Sequence, residues 1–203
     1  MTLGQFGGDS VVPGAKIAMR DQLVTARNKR TLVERSEVAR ALADQLLAST
    51  EVRRAATVAA YVSIGSEPGT GLLLRDLTAA GKRVILPVLL SDGDLDWAAY
   101  TGDAALAPAR LGLLEPTGPR LGTDAIGTPD VVLVPGLAVS SSGQRLGRGG
   151  GSYDRALGRV PVGTFTCVLL HDDEVGLDVP VEPHDRRVTA AATPSGIRRF
   201  QHE

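Results

Sequence analysis

The residues with the clearest chemical character lie at positions 140–157, which read SSSGQRLGRGGGSYDRAL. Five glycines and three arginines fall within this stretch, and a tyrosine and an aspartate come soon after the last glycine. Consecutive backbone N–H groups of a glycine-rich turn can converge on an anion, and arginine pairs well with phosphate oxygens. The composition favours a phosphate site, and a flexible surface loop is the alternative that stays open.

The glycine loop matches neither of the two common nucleotide-binding patterns. A Walker loop requires Gly-Lys-Ser/Thr after four intervening residues, whereas here Arg148 follows Gly147. The Rossmann pattern fails because Ser152 stands in the place of its last glycine and because the loop comes late in the chain. Asp154 can hold a cation beside the arginines, which favours a nucleotide phosphate site with magnesium.

Charged residues elsewhere in the chain are candidates for the same site. Lys16 and Arg20 are four positions apart on one face of a predicted helix, where a solvated basic surface is the alternative. Glu67 lies in the loop GSEPGTG, where an acidic residue is also unremarkable. Asp154 can equally cap the helix that it opens, and Asp185 in PHDRRV can simply pair with a neighbouring arginine.

Bulk composition argues against several function classes. The chain has 203 residues and a formal net charge of −1, which gives no general electrostatic argument for binding nucleic acid or an anionic membrane. No apolar run approaches the roughly 20 residues that span a bilayer, and the start has no signal-peptide pattern, so we expect a cytoplasmic protein. The single cysteine, Cys167, is predicted to be a buried structural thiol. His171 and His184 are expected to be structural or exposed rather than a metal pair.

Helical and apolar segments alternate along the chain. Helices are predicted over 15–30, 36–49, 72–81 and 153–160. Strands are predicted over 55–64, 82–90, 94–100, 131–139, 163–170 and near 186–193, with 94–100 as an antiparallel partner. This alternation indicates an α/β fold: an open, mostly parallel twisted sheet flanked by helices, in a Rossmann-like three-layer single domain over residues 1–203. Residues 1–14 are predicted to be a flexible N-terminus.

In open sheets of this type, ligands bind beyond the carboxyl ends of the strands. Two loops qualify, namely GSEPGTG after the first strand and the glycine loop after the third. The topology therefore predicts that Glu67 and Thr70 lie near Arg145, Arg148 and Asp154 at one edge of the sheet.

The segment VPGLAVSSSGQRLGRGGGSYDRAL resembles the signature of the 5-formyltetrahydrofolate cyclo-ligase family. Four further segments, KIAMR, SEPGT, GLLEPTG and EPHDRRV, are similar to motifs of that family and follow its order from residue 16 to residue 190. Val139 and Ser140 stand where the family usually has an aromatic residue and an aspartate, and Ser152 replaces the first of two tyrosines.

The resemblance implies an ATP-dependent conversion of 5-formyltetrahydrofolate to 5,10-methenyltetrahydrofolate, with ADP and phosphate released through a phosphorylated formyl (iminophosphate) intermediate. It implies Arg145, Arg148 and Tyr153 as catalytic residues. The implied ATP contacts are Lys16, Arg20, Arg145, Leu146, Gly147, Arg148, Gly149, Gly150, Gly151, Ser152 and Tyr153.

The resemblance also implies the folate contacts and the metal ligands. Val62 and Glu67 would bind the folate, the carboxylate accepting N–H bonds from the amino-pyrimidine edge of the pterin. Asp154 and Asp185 would be ligands of Mg²⁺. For this function we expect ATP and a reduced folate as partners, no nucleic acid or membrane, and a monomer.

Two other functions remain as alternatives. One is a phosphate-ligand enzyme such as a sugar-phosphate isomerase or an acyl-CoA transferase, for which Glu67 would be the candidate base. The other is a non-catalytic nucleotide-binding protein that has lost turnover through the residues at Val139, Ser140 and Ser152.

Overall fold

The computed structural model describes residues 13–201, so residues 1–12 of the predicted flexible N-terminus lie outside the described residues. The helices are α1 (Pro13–Asn28), α2 (Leu32–Ala48), α3 (Thr50–Arg54), α4 (Gly71–Ala79) and α5 (Ser152–Leu157). The strands are β1 (Thr57–Ala59), β2 (Arg83–Leu89), β3 (Leu95–Ala99), β4 (Leu106–Pro108), β5 (Leu114–Pro116), β6 (Val131–Pro135), β7 (Ala138–Val139), β8 (Arg145–Leu146), β9 (Phe165–Leu169), β10 (Ala190–Thr193) and β11 (Gly196–Arg199). No helix in this part of the chain is long and apolar enough to cross a membrane.

Seven strands form one sheet in the order β11-β10-β9-β6-β1-β2-β3. The five inner strands are parallel, and the two edge strands, β3 and β11, pair antiparallel with their neighbours. Apolar side chains of α2 and α4 cover one face, whereas α5 and the buried ring of Trp97 belong to the cluster on the other face. This arrangement confirms the predicted three-layer α/β fold with a mostly parallel sheet.

The chain reverses its direction of travel across the sheet at β1, which lies between β2 and β6. The loop after β1 leads to α4 on one face, and the loop after β6 leads towards α5 on the other face. Two loops that leave adjacent parallel strands towards opposite faces open a crevice at the carboxyl ends of those strands. The sheet order therefore marks this crevice as the expected ligand site.

The predicted strand over 131–139 is interrupted at Gly136. β6 ends at Pro135, and β7 then pairs with β8 in a separate hairpin. A Cβ atom on Gly136 would lie 2.6 Å from Cγ2 of Val168, so the chain passes too close to β9 for a larger residue. Arg145 consequently lies on a strand, ahead of the glycine loop rather than within it. The predicted strand over 55–64 is also shorter, since its ladder with β2 covers 57–59.

Helix α2 begins at Leu32, four residues earlier than the apolar spacing predicts. Thr31 Oγ1 accepts a hydrogen bond from the backbone N–H of Glu34, and the Glu34 carboxylate accepts one from the N–H of Thr31. This reciprocal capping box satisfies two otherwise free N–H groups. Leu32 and Val33 are exposed, which is why the pattern of buried residues did not reveal the first turn.

Helix α1 is docked by a buried ion pair as well as by its apolar face. Leu23 and Val24 pack against the small cluster around β7 and β8. Arg27 is only 1% exposed, and it donates to both carboxylate oxygens of Glu174 and to the carbonyl oxygen of Gly136, each at 2.7 Å. Removing one partner of such a buried pair is strongly destabilising. α1 is thereby fixed against the turn that precedes the glycine loop.

Candidate active site

A cavity of about 380 Å³ lies at the carboxyl ends of β1 and β6. The loops that follow these two strands both line it, in agreement with the sheet order. Its polar wall consists of Glu67, Glu115, Arg145 and residues 147–154. Its apolar wall consists of Tyr61, Val62, Ile64, Pro87, Leu89, Leu95, Leu111, Leu113 and Leu114. The lining of the cavity therefore combines charged and glycine-rich segments with apolar side chains.

The glycine loop is held by a side chain from α1. Gly149 and Gly151 have φ values of +103° and +68°, which side-chain-bearing residues rarely adopt. Arg20 Nε donates to the carbonyl oxygen of Gly147 at 2.9 Å. A Cβ atom on Gly149 would lie 3.3 Å from Cζ of Arg20, so glycine also makes room for the guanidinium group. The structure thus brings Arg20 to the loop, although it is separated from it by more than a hundred residues.

Arg145 is buried behind the loop and bonded on two sides. It is 5% exposed, and its Nη1 donates to the carbonyl oxygen of Pro135 at 3.0 Å. Its Nη2 donates to Asp154 Oδ1 at 3.1 Å, and its guanidinium carbon lies 5.9 Å from the centre of the Tyr153 ring. Arg145 and Tyr153 both line the cavity. The bonds of Arg145 to Pro135 and Asp154 hold its positive charge in place next to the glycine loop.

Asp154 does not cap α5, so the helix-cap interpretation is wrong. Gly151 occupies the cap position, and Asp154 is the third residue of the helix. The carboxylate instead accepts hydrogen bonds from Arg145 and from the backbone N–H of Arg186 at 3.1 Å. It is therefore the counter-ion of Arg145 and a link to the C-terminal segment, two roles that the spacing did not indicate.

Lys16 joins the first helix to the same C-terminal segment. Its Nζ donates to Asp185 Oδ2 at 2.7 Å and to Glu182 Oε2 at 2.6 Å. Burial alone would lower the pKa of Lys16, but the bonds to Asp185 and Glu182 outweigh burial and raise it. Burial would likewise raise the pKa of Asp185, and the bond from Lys16 reverses this effect and lowers it. The predicted pairing of Asp185 with a neighbouring arginine is replaced by this pairing with Lys16.

Glu67 and Arg148, which both line the cavity, form an ion pair with each other. Arg148 Nε donates to Glu67 Oε1 at 3.0 Å, and Glu67 Oε2 accepts from the backbone N–H of Ile64 at 2.9 Å. Val62 lines the cavity beside them. Thr70, expected at this edge, is buried and bonds Ser63 and the carbonyl of Tyr61, so it shapes the loop and does not line the cavity.

A family model described as the 5-formyltetrahydrofolate cyclo-ligase family matches residues 12–194 of this chain. The match covers the glycine loop, both walls of the cavity and the segment that carries Asp185. The chain belongs to the 5-formyltetrahydrofolate cyclo-ligase family. The resemblance seen in the sequence motifs is thereby confirmed, and the sugar-phosphate isomerase and acyl-CoA transferase interpretations lose their support.

Individual members of this cyclo-ligase family align with most of the chain. The chain is 45% identical over 143 residues to a 5-formyltetrahydrofolate cyclo-ligase of Mycolicibacterium smegmatis, covering 68% of this chain and 73% of the relative. It is 34% identical over 179 residues to that of Escherichia coli, covering 84% and 96%. The solved structure of Aquifex aeolicus 5,10-methenyltetrahydrofolate synthetase superposes with a TM-score of 0.79 at 25% identity, over 93% of this chain and 94% of that one.

Several cavity residues of this family member were not identified from the sequence. Tyr61 belongs to an apolar run that reads as an ordinary strand, so its hydroxyl gave no signal. Leu111, which is 81% exposed and has a φ of +58°, lines the cavity together with Leu114. Glu115 lines the cavity and accepts from the N–H of Leu89 at 2.9 Å. Leu114 and Glu115 belong to the motif GLLEPTG, which the sequence analysis identified without assigning it a function.

Asp154 and Asp185 carry the oxygen donors that a magnesium site uses, and in this structure they pair with Arg145 and Lys16, respectively. The N–H of Arg186 donates to Asp154, which places the segment carrying Asp185 beside Asp154. Oxygen ligands of this type suit Mg²⁺, which normally uses one or two carboxylates together with substrate phosphates. The ligand atoms of Glu182, His184 and Asp185 lie within 4.8 Å of one another, but the imidazole is a poor ligand for this hard cation.

The cysteine and the two histidines considered in the sequence analysis lie in buried or surface positions outside the cavity lining. Cys167 is fully buried in the sheet, and burial raises the pKa of its thiol, as expected for an inert cysteine. His171 is buried, which lowers the pKa of its imidazole, and its backbone N–H donates to Glu174. His184 is largely exposed. Among residues 13–201, the cluster of possible metal ligands that contains His184 does not include His171.

Proposed function

We propose that the protein catalyses the ATP-dependent cyclisation of 5-formyltetrahydrofolate to 5,10-methenyltetrahydrofolate, with release of ADP and phosphate. Its family uses ATP as a co-substrate. The observation that carries the proposal is that one cavity is lined by the glycine loop, Arg145, Arg148, Glu67 and a set of apolar side chains. We assign the triphosphate of ATP to the charged lining of this cavity and the pterin to its apolar lining.

The reaction requires that the substrate itself accept the phosphoryl group. The formyl oxygen attacks the γ-phosphorus of ATP, the bond to the bridging oxygen of ADP breaks, and an iminophosphate forms. Nitrogen-10 then attacks the formyl carbon and loses its proton, the carbon–oxygen bond breaks, and phosphate leaves with the former formyl oxygen. Phosphoryl transfer depends on positioning and charge stabilisation, so a covalent protein nucleophile is not needed.

The charged lining of the cavity would hold ATP. Arg148 lines the cavity and Arg20 bonds to the loop, whose N–H groups can converge on phosphate oxygens. Lys16 is paired with Glu182 and Asp185 outside the cavity lining, and it would contact the phosphates only by leaving these partners.

Arg145 supports the loop from its buried position and would stabilise the charge that develops on the transferred phosphoryl group. Burial, followed by the negative charge of Glu67, raises the pKa of Tyr153, so its hydroxyl stays protonated and would act as a hydrogen-bond donor.

Two further groups complete the proposal. Glu67 and Val62 would contact the pterin, the carboxylate accepting N–H bonds from its amino-pyrimidine edge. Asp154 and Asp185 would hold Mg²⁺, which supplies positive charge to the phosphates when it is bound. We also propose that the protein acts as a monomer in the cytoplasm and without nucleic acid.

The test is a mixture of purified protein, 5-formyltetrahydrofolate and Mg-ATP. Ultraviolet absorption follows the methenyl product, and ADP is measured in the same samples. We expect product and ADP in equal amounts, and no product when ATP is omitted. ADP release that does not depend on the folate would contradict the proposal, as would ATP binding without any product, which is the behaviour of a non-catalytic nucleotide-binding protein.

A further inference from the structure

The turn between β4 and β5 holds a leucine in a backbone conformation that leucine rarely adopts. Leu111 has a φ of +58° and a ψ of +24°, and Gly112, which follows it, has a φ of +73°. The N–H of Leu113 donates to the carbonyl oxygen of Arg110 at 3.1 Å, which closes a turn around these two residues. Two central residues with positive φ are typical of a type I′ turn, in which asparagine, aspartate and glycine are favoured. Among residues 13–201, Leu111 is the only residue other than glycine with a positive φ.

Packing within the protein compensates little for this backbone conformation. Leu111 is 81% exposed, although it lines the cavity together with Leu113 and Leu114. Asparagine at the same position would avoid the backbone cost, since its short polar side chain tolerates the left-handed conformation. A strained residue at a ligand cavity points to a functional reason for its side chain. The apolar side chain of Leu111 therefore suits a contact with a ligand.

Two side chains hold this turn at the carboxyl end of β2. Arg110 Nη2 donates to the carbonyl oxygens of Leu89 and Leu90 at 3.2 and 2.9 Å, and Glu115 accepts from the N–H of Leu89 at 2.9 Å. β2 pairs with β1, which leads to the loop of Glu67, and β1 separates it from β6, which leads to the glycine loop. This attachment favours the folate over ATP as the ligand that the turn contacts.

We infer that Leu111 is a further substrate-binding residue, whose side chain packs against the ring system of a reduced folate. The inference rests on the proposed function, since it takes the pterin as the ligand of the apolar lining. Burial of the leucine side chain in the complex would favour binding, because apolar surface leaves water. Leucine at this turn thus increases the affinity for the folate and lowers the stability of the free protein.

The test compares Leu111→Asn with Val162→Asn as a matched control. Val162 is fully exposed and is the second residue of a turn, since the N–H of Thr164 donates to the carbonyl oxygen of Pro161 at 3.1 Å. It also precedes a glycine with positive φ, Gly163 at +90°. Its own φ is not positive, however, and it does not line the cavity.

Calorimetry measures the Kd of 5-formyltetrahydrofolate and, separately, of a non-hydrolysable ATP analogue, and thermal unfolding without ligands measures the Tm. For Leu111→Asn we expect the folate Kd to rise about three- to tenfold, as for the loss of a partly buried leucine side chain. The Kd of the ATP analogue should stay the same, and the Tm should rise by about 1–3 °C, because asparagine fits the turn. Leu111→Met keeps an apolar side chain and should retain the folate Kd. Val162→Asn should leave both Kd values unchanged and should not raise the Tm.

An unchanged folate Kd for Leu111→Asn, while the wild type forms product, would overturn the inference and leave the proposed function intact. A higher Kd of the ATP analogue instead of the folate would assign the side chain to the nucleotide, which also overturns it. A lower Tm of Leu111→Asn would show that leucine stabilises the free protein, and the argument from strain would fail. Failure of the wild type to bind the folate would overturn the inference and the proposed function together.

Discussion

Replacing Arg148 by methionine tests whether the two substrates communicate through one ion pair. Arg148 donates to Glu67, yet the proposed function assigns Arg148 to ATP and Glu67 to the folate. Each substrate must therefore compete with this ion pair for its own recognition group. When ATP draws Arg148 away, Glu67 is released for the folate, so each ligand raises the affinity for the other by the same factor.

The exposure of the pair sets the size of this coupling. The Glu67 side chain is 6% exposed, whereas that of Arg148 is 45% exposed, so solvent screens the interaction on one side. A charge-assisted hydrogen bond contributes about 1.5–3 kcal/mol when buried, and an exposed ion pair about 0.2–1 kcal/mol. We take about 1 kcal/mol, which corresponds to a roughly fivefold change in Kd.

Calorimetry with a non-hydrolysable ATP analogue measures the coupling directly. In the wild type, the folate should bind about fivefold more tightly when the analogue is present. In Arg148→Met this difference should vanish, because the folate alone already binds with the tighter Kd, while the analogue binds more weakly. Arg155→Met is the matched control, since its side chain donates to the carbonyl oxygens of Gly93 and Gly150 and should leave the coupling intact.

Weaker folate binding to Arg148→Met would refute the reasoning, because Arg148 would then assist the folate and not compete with it. Equal folate affinity with and without the analogue in the wild type would refute it as well. A loss of coupling in Arg155→Met would show that the effect is one of general positive charge near the loop.

Three other substitutions give separate outcomes. Asp154→Asn should reduce turnover most strongly at low magnesium, and it should also lower stability by about 2 kcal/mol in thermal unfolding, because buried Arg145 loses its counter-ion. Lys16→Met should lower the Tm near neutral pH. The difference in Tm from the wild type should shrink below pH 3.8, because Asp185, whose pKa is lowered, becomes protonated there. The difference should also shrink above pH 10.5, because Lys16, whose pKa is raised, loses its proton there. Gly149→Ala should weaken binding of the ATP analogue, because alanine is strained at a φ of +103°, and unchanged affinity would show that the loop adapts.

The sequence predicted the sheet well because its inner strands are covered on both faces. Such strands appear as continuous apolar runs, and their alternation with helices indicates a mostly parallel sheet. The boundaries were less predictable where a close approach ended a strand. The break at Gly136 depends on the distance to Val168 of β9, a contact that no local pattern contains.

The candidate site was predictable in its residue types but not in its pairings. Glycines and arginines indicated an anion site because their chemistry is local. The partner of Glu67 lies 81 positions away and that of Lys16 lies 169 positions away, so these bonds depend on the complete fold. Leu111 was missed for a related reason, since an exposed leucine becomes informative only when its backbone angles and its place in the cavity lining are known.

The bonds of α1 also determine the order in which the site can assemble. Lys16, Arg20 and Arg27 all bond to partners more than a hundred residues further along the chain. Contacts of such long sequence separation form late in folding, because the intervening chain must first be ordered. Because α1 lies outside the sheet, we expect it to exchange its amide hydrogens by detaching from the rest of the protein rather than through global unfolding. A nucleotide that binds only when α1 is docked would slow this exchange. It would therefore stabilise the fully folded protein relative to a form in which α1 is detached.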